Sequence, residues 1–299
     1  MRARITLLLL GLLLFPLRAE ALTIVVDFKD FGEPVTPDII GGEVGFFDIA
    51  SFGFADTTAN RTTLYNSILS ELERDYHDIP TVGQNPLSPI PDGHELDIDF
   101  VIGDVGTAPS NGDTEFYYML VGTGVVKPSA NTLGQAFQDA VRDSSGNHSI
   151  FIPNGIVVGS VFTDSINGLG FLTPPNALTS GNLSFTTHAI NGTLAHEIGH
   201  TVSLDHLDKA LAVTPNGLPP LMATGAIDLP NQDRLFDREF SFSGFDSQDG
   251  GAARMYLSQL VDALGTRPVP LTAVPEPSTI VLAAVGFVGL CWLRRRGGR

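Results

Sequence analysis

Two periods of apolar residues run along this chain. Leu22 to Phe28 (Leu-Thr-Ile-Val-Val-Asp-Phe) is β-branched and almost wholly apolar, which predicts a buried strand at the start of the folded region. Asp30 to Thr58, rich in Gly, Pro and Phe, predicts irregular chain. Between Asn60 and His77, Leu64, Ile68, Leu69, Leu72 and Tyr76 recur at helical spacing. Glu71, Glu73, Arg74 and Asp75 mostly fill the other face, so an amphipathic helix is expected. Val82 to Glu95 reads as loop, while Leu96 to Ile102 and Phe116 to Val121 read as strands. Leu133 to Val141 has the pattern of a second amphipathic helix, and Ile150 to Phe162 of one or two strands broken at Pro153-Asn154-Gly155. No internal repeat interrupts this order, which predicts a mixed α/β (α+β) domain.

At both ends the pattern changes. Met1-Arg-Ala-Arg precedes an apolar run from Leu7 to Leu17, and Ala19-Glu20-Ala21 fits a small-x-small cleavage rule. Residues 1–21 therefore read as a secretory signal peptide, removed by signal peptidase; the run is too short for a spanning anchor. Residues 22–266 remain as one mature domain. A proline-rich linker follows at 267–277 (Pro268, Pro270, Pro275, Pro277). Ile280 to Leu293 is then a short apolar run ending in Arg294-Arg295-Arg296, a charge pattern that sets a positive-inside orientation. Residues 274–299, from Val274-Pro-Glu-Pro-Ser-Thr to the terminal arginines, resemble the PEP-CTERM sorting signal. The resemblance implies export through the inner membrane, transient anchoring by a short transmembrane helix, and processing by an exosortase. The cell surface, the extracellular matrix or the medium is then the destination. A permanent tail anchor is the alternative.

Composition narrows the possibilities. Apolar residues make up 43% of the chain and charged residues 17%, enough to build a packed core. Across Leu22 to Val274, 31 acids face 10 bases, so no basic footprint for nucleic acid exists and acidic ligands are not expected. The sole cysteine is Cys291, which excludes an internal disulfide. Without a bridge, stability must come first from core packing.

The chemistry concentrates in residues 196–206, His-Glu-Ile-Gly-His-Thr-Val-Ser-Leu-Asp-His, preceded by the helix-compatible Ala189 to Ala195. On a helix, residues four apart differ by about 40° in direction, so His196 and His200 can meet one zinc ion at about 2.0–2.1 Å. Glu197 is turned by about 100° from His196, off the ligand face but near enough to take a proton from a metal-bound water. Zinc would lower that water's pKa to about 7 and polarise a scissile carbonyl. His206 would lie about 240° round on an unbroken helix, so the helix must end near Ser203 for it to return. Downstream, Leu221-Met222-Ala223 sits among turn-forming residues.

Together these residues resemble the metzincin zinc proteases, whose motif is HExxHxxGxxH followed by a methionine-containing turn. Locally they are most similar to the matrixins, at His196 to His200 and again at Leu204-Asp205-His206. The resemblance implies a secreted zinc-dependent endopeptidase acting on a protein or peptide substrate. It makes His196, His200 and His206 the zinc ligands, Glu197 the general base and Met222 the turn residue beneath the metal. It also implies a twisted, mostly parallel sheet, an active-site helix, an irregular lower subdomain and a closing C-terminal helix, for which Asp249 to Leu264 is the candidate.

One position departs from the pattern. Ser203 stands where the family has glycine, at a sharp turn expected to take positive φ, at a cost to serine of about 1–2 kcal/mol. Asp205 and Asp208 are the substitutes within reach for the third ligand. His77, His94, His148 and His188 lack ligand spacing and read as surface groups. The acidic excess leaves calcium open as a further ion, with no residues assigned. Two other readings use the same site: a catalytically inactive, zinc-stabilised matrix or surface protein, and a metal-dependent amidase.

Overall fold

In the computed structural model, the described residues are 21–141, 152–169, 178, 181–207, 212–223, 229–245 and 253–269. The chain divides into two compact units, residues 1–267 and 268–299, and only Pro268 and Val269 of the second are described. The signal peptide, His148, Asp208, most of the linker and the sorting tail lie outside the described residues.

Eight strands and four helices of the first unit position the site. In chain order the strands are β1 (Leu22–Phe28), β2 (Thr36–Pro37), β3 (Glu43–Gly45), β4 (His94–Leu96), β5 (Ile98–Ile102), β6 (Phe116–Val126), β7 (Gly134–Ala136) and β8 (Val157–Phe162). The helices are α1 (Thr58–His77), α2 (Thr163–Gly168), α3 (Leu183–Thr201) and α4 (Tyr256–Leu264). β1 pairs in parallel with β5 on one side and β6 on the other, and β6 pairs in parallel with β8. The short β7 runs antiparallel along β8, and β2 and β3 add an antiparallel flap beside the end of β6. The result is a mixed α/β fold with a mostly parallel central sheet. Every residue of β1 is buried, as a parallel strand covered on both faces requires.

α1 begins where Thr57 Oγ1 accepts from the Asn60 N–H, and Leu64, Ile68, Leu72 and Tyr76 go fully into the core. Its supposed polar face is not all solvated. Glu71 and Asp75 are buried against α3, where Glu71 meets His188 Nδ1 at 2.6 Å and Asp75 accepts from Asn191 at 2.7 Å. Burial, more than any neighbouring charge, raises the Asp75 carboxyl well above its usual range. His188 is thus no free surface group; among the described histidines, His77 binds the Ile98 carbonyl and His94 that of Asp92.

The helix expected over Leu133 to Val141 is absent. Gly134–Ala136 forms β7, and most of the segment's backbone bonds are tertiary: the Phe137 N–H bonds Val158 O, and the N–H groups of Asp139 and Val141 cap the last carbonyls of α3 at His200 and Thr201, while the Ala140 N–H bonds locally to Phe137 O. A nine-residue amphipathic pattern is too short to hold a helix against these alternatives. The C-terminal helix is also shorter than expected. Ala253–Arg254 pairs antiparallel with Gly244–Phe245, so α4 starts only at Tyr256, and residues 246–252 lie outside the described set. Asp30 to Thr58 holds β2, β3 and a 3-10 turn at Ile49–Phe52 rather than wholly irregular chain. From Val202 to Ser243 the described chain is irregular, with one 3-10 turn at Asn231–Leu235 and three isolated bridges.

Candidate metal centre

α3 carries His196, Glu197 and His200 through the interior of the domain. Asn182 caps its start by accepting from the Phe185 N–H, and most of its length is buried. At its other end the Leu204 N–H reaches back to Gly199 O at 3.0 Å and the Ser203 N–H to His200 O at 3.2 Å. This is a Schellman arrangement, which places the residue at Ser203 in the left-handed region, and Ser203 has φ 74°. Serine occupies a conformation that glycine adopts without strain. The reversal sends the chain back so that His206 faces the helix it has just left.

The three imidazoles converge. His200 Nε2 lies 3.1 Å from His196 Nε2 and 3.2 Å from His206 Nε2. His196 Nδ1 donates to the Leu221 carbonyl at 2.7 Å, and His200 Nδ1 donates to the Leu204 carbonyl at 2.6 Å. A carbonyl can only accept, so each Nδ1 holds its proton and each Nε2 presents a lone pair. Lone pairs this close repel unless a cation stands between them. Nitrogens about 2.0–2.1 Å from one tetrahedral ion are themselves about 3.3–3.4 Å apart, which fits the observed spacing. Protonation is a poor substitute: burial, then the charges of His200 and His206, push His196 well below its usual pKa, and burial with His206 takes His200 down to about 4.

Glu197 is 7% exposed, and burial alone pushes its carboxyl up to about 8. Its carboxylate rests on the β7 backbone at Gly134, where a Cβ would fall 2.8 Å from both Glu197 Cγ and Oε1. Only glycine leaves that space. Met222 is fully buried behind α3, with Sδ where a Cβ on Gly199 would approach to 2.5 Å, and its carbonyl accepts from the Leu207 N–H at 2.9 Å. The neighbouring Leu221 carbonyl is the one that orients His196. The Tyr256 hydroxyl, buried on α4, donates to the His206 carbonyl at 2.8 Å. Gly134, Gly199 and Tyr256 were not singled out as site residues from sequence; their roles depend on contacts across more than 20 residues of chain.

Of the alternative third ligands, Asp205 bonds Gln138 and stands outside the group of ligand atoms formed by His196, His200 and His206. Among the described residues one other group has metal-like spacing, Glu71, His188 and Asp237, but Arg74 already lies 2.6 Å from Asp237 and 3.8 Å from Glu71. A cavity of about 600 Å³ opens on His196, Glu197 and His206, lined by Asn131 to Gly134 on one side and by Gly192, Thr193, Ala223, Arg234 and Arg238 on another. A buried carboxyl beside three converging imidazole nitrogens at a cavity can bind a divalent ion and move a proton next to it.

Comparison with known families finds the PEP-CTERM protein-sorting motif at residues 273–296. This motif implies recognition by an exosortase, export with a C-terminal anchor, and a surface or extracellular location. Among the described residues no helix is long and apolar enough to cross a membrane, and the apolar run at 280–293 lies outside them. No curated protein matches the chain.

Proposed function

We propose that the chain is an exported zinc endopeptidase of metzincin-like fold, hydrolysing peptide bonds in the cleft lined by His196, Glu197 and His206. The observation that carries the reading is the convergence of three Nε2 atoms with a buried, otherwise uncommitted carboxyl beside them. The donor set, three imidazoles of which two are held by backbone carbonyls, suits zinc, and three protein ligands would leave room on it for substrate or water. When bound, zinc would supply Lewis-acid polarisation of the scissile carbonyl and of a water. Glu197 would take a proton from the attacking water and pass it to the departing amine. Its pKa near 8 without a cation would fall beside a dication, readying it as a base. Gly134 keeps the carboxylate in place, and Met222 closes the floor.

The order of parts also supports the metzincin likeness: sheet, active-site helix, sharp turn, irregular lower part and C-terminal helix. Nothing in a purely structural zinc site calls for Glu197, whereas hydrolysis does. Metal analysis of the purified mature chain, with turnover of a casein-type substrate by wild type and Glu197→Gln, tests the reading. About one zinc per chain and turnover that depends on Glu197 are expected. Absence of stoichiometric transition metal would sink it, and full zinc without any hydrolysis would favour the inactive matrix protein. Exosortase cleavage near Pro275 to Thr279 would release the domain; mass spectrometry of the secreted form should end there, and retention of Trp292 would mark a permanent anchor.

A further inference from the structure

Arg238 is 4% exposed, yet its Nε and Nη2 have no hydrogen-bond partner. The carboxylates around it are engaged elsewhere: Asp237 with Arg74, Glu71 with His188, and Asp75 with Asn191. A buried guanidinium left unpaired costs several kcal/mol in a folded protein, so its retention calls for a partner that arrives later. Its surroundings say where. Arg238 lines the cavity that opens on His196, Glu197 and His206, and its guanidinium presses on α3 so closely that a Cβ on Gly192 would fall 1.7 Å from Nη2. Gly192 precedes His196 by one helical turn, about 6 Å along the axis. Arg234, itself 6% exposed, lines the same wall and repels Arg238, so the two guanidiniums concentrate positive charge there. The described lining holds one carboxylate, Glu197.

We propose that Arg238, with Arg234 beside it, forms a carboxylate-binding subsite of the cleft. It would favour peptides bearing an acidic side chain or a free C-terminal carboxylate within about two residues of the scissile bond. The reference to a scissile bond rests on the peptidase reading; carboxylate binding at Arg238 does not. A guanidinium receives a carboxylate through two parallel N–H bonds, and Nε and Nη2 form one such fork; both are closed off against α3 at Gly192, so a ligand meets them once the side chain turns from α3 into the cavity. The acidic composition weighs against anionic ligands only at a distance. At physiological salt a charge is screened over about 8 Å, while a buried contact is screened far less.

The test uses the mature full-length chain and blocked peptides of one sequence carrying Asp, Asn or Ala at each position. All are made as C-terminal amides, and the Asn series is repeated with a free C-terminus. Binding is measured on Glu197→Gln by calorimetry, and cleavage on wild type by mass spectrometry. Asp over Asn by about 10–100-fold in affinity identifies an acidic side chain as the ligand; a preference confined to the free-carboxylate series identifies a chain end. Either supports the subsite, provided the preference is lost when Arg238→Met is added to Glu197→Gln. Equal binding of all series overturns it. So does a preference that survives Arg238→Met, because the metal would then be holding the carboxylate. Removing an unpaired buried cation should leave the Tm unchanged or higher, and a lowered Tm with the preference intact would mark Arg238 as structural and overturn the proposal. If Arg238→Met does not fold, Arg238→Lys, which keeps the charge and loses the fork, replaces it in the same comparison, and a preference undiminished in Arg238→Lys overturns the proposal. Preferential binding with no cleavage by wild type would sink the peptidase reading and leave the subsite standing.

Discussion

Between Leu22 and Phe162 the chain commits its backbone to neighbouring strands, with β1, β5, β6 and β8 in parallel register. Between Val202 and Ser243 the described residues make three isolated bridges and one 3-10 turn. Both regions line the same cleft, one through Gly134 and the other through His206, Ala223, Arg234 and Arg238. The sheet region holds itself together by ladders and by a core that includes Ile24, Val26, Met119 and Val158. In the irregular region several bonds run through the site itself: His196 to Leu221 O, His200 to Leu204 O, and Tyr256 to His206 O. Where ladders are few, ligand side chains double as cross-links, and a bound metal would tie the second region to the first.

The sharpest separation of chemistry from architecture is Glu197→Gln. It should lower peptide turnover by about 10²–10⁴-fold while leaving both regions and the zinc content unchanged. Turnover within about threefold of wild type would show that Glu197 is not the base. Next comes the metal. Stripping zinc with a chelator should speed amide hydrogen exchange in residues 204–223 while β1 and β6 stay protected, since the metal's contribution, about 4 kcal/mol at a thousandfold excess over Kd, falls on the region with fewest ladders. Equal loss of protection in both regions would erase the contrast. His206→Ala should reproduce the effect and weaken zinc binding strongly, whereas Asp205→Ala, which loses a bond to Gln138, should not.

Smaller effects test single joints. Tyr256→Phe removes one buried donor from the His206 carbonyl and should cost about 1 kcal/mol, with weaker zinc retention in chelator competition. An unchanged zinc affinity would mean that α4 does not steady the third ligand. Ser203→Gly should raise stability by up to about 1 kcal/mol by removing left-handed strain, less the extra freedom glycine has when unfolded. A lower Tm would place the value of Ser203 in its side chain rather than in its backbone.

Local pattern alone made α1, β1, the strand at β5 and the helix bearing His196 and His200 legible, because these rest on periodicity that neighbouring residues share. The turn at Ser203 was legible too, since His206 can return to the helix only if the chain reverses there. The tail was readable from its ordered parts, proline motif, apolar run and arginines. What residues 133–141 would form was not. Their apolar spacing suits a helix, but the N–H groups of Phe137, Asp139 and Val141 are claimed by β8 and by the end of α3, partners that no local pattern announces. Nor did the polar residues of α1 declare themselves buried, for Glu71 and Asp75 acquire His188 and Asn191 only when α3 packs against them. The unpartnered guanidinium of Arg238 is of the same kind: an arginine in a strongly acidic chain reads as solvated until folding presses it against Gly192 and leaves its neighbours' carboxylates bonded elsewhere. Periodicity and motif are properties of nearby residues, whereas burial and pairing are decided by which distant segments the fold brings together.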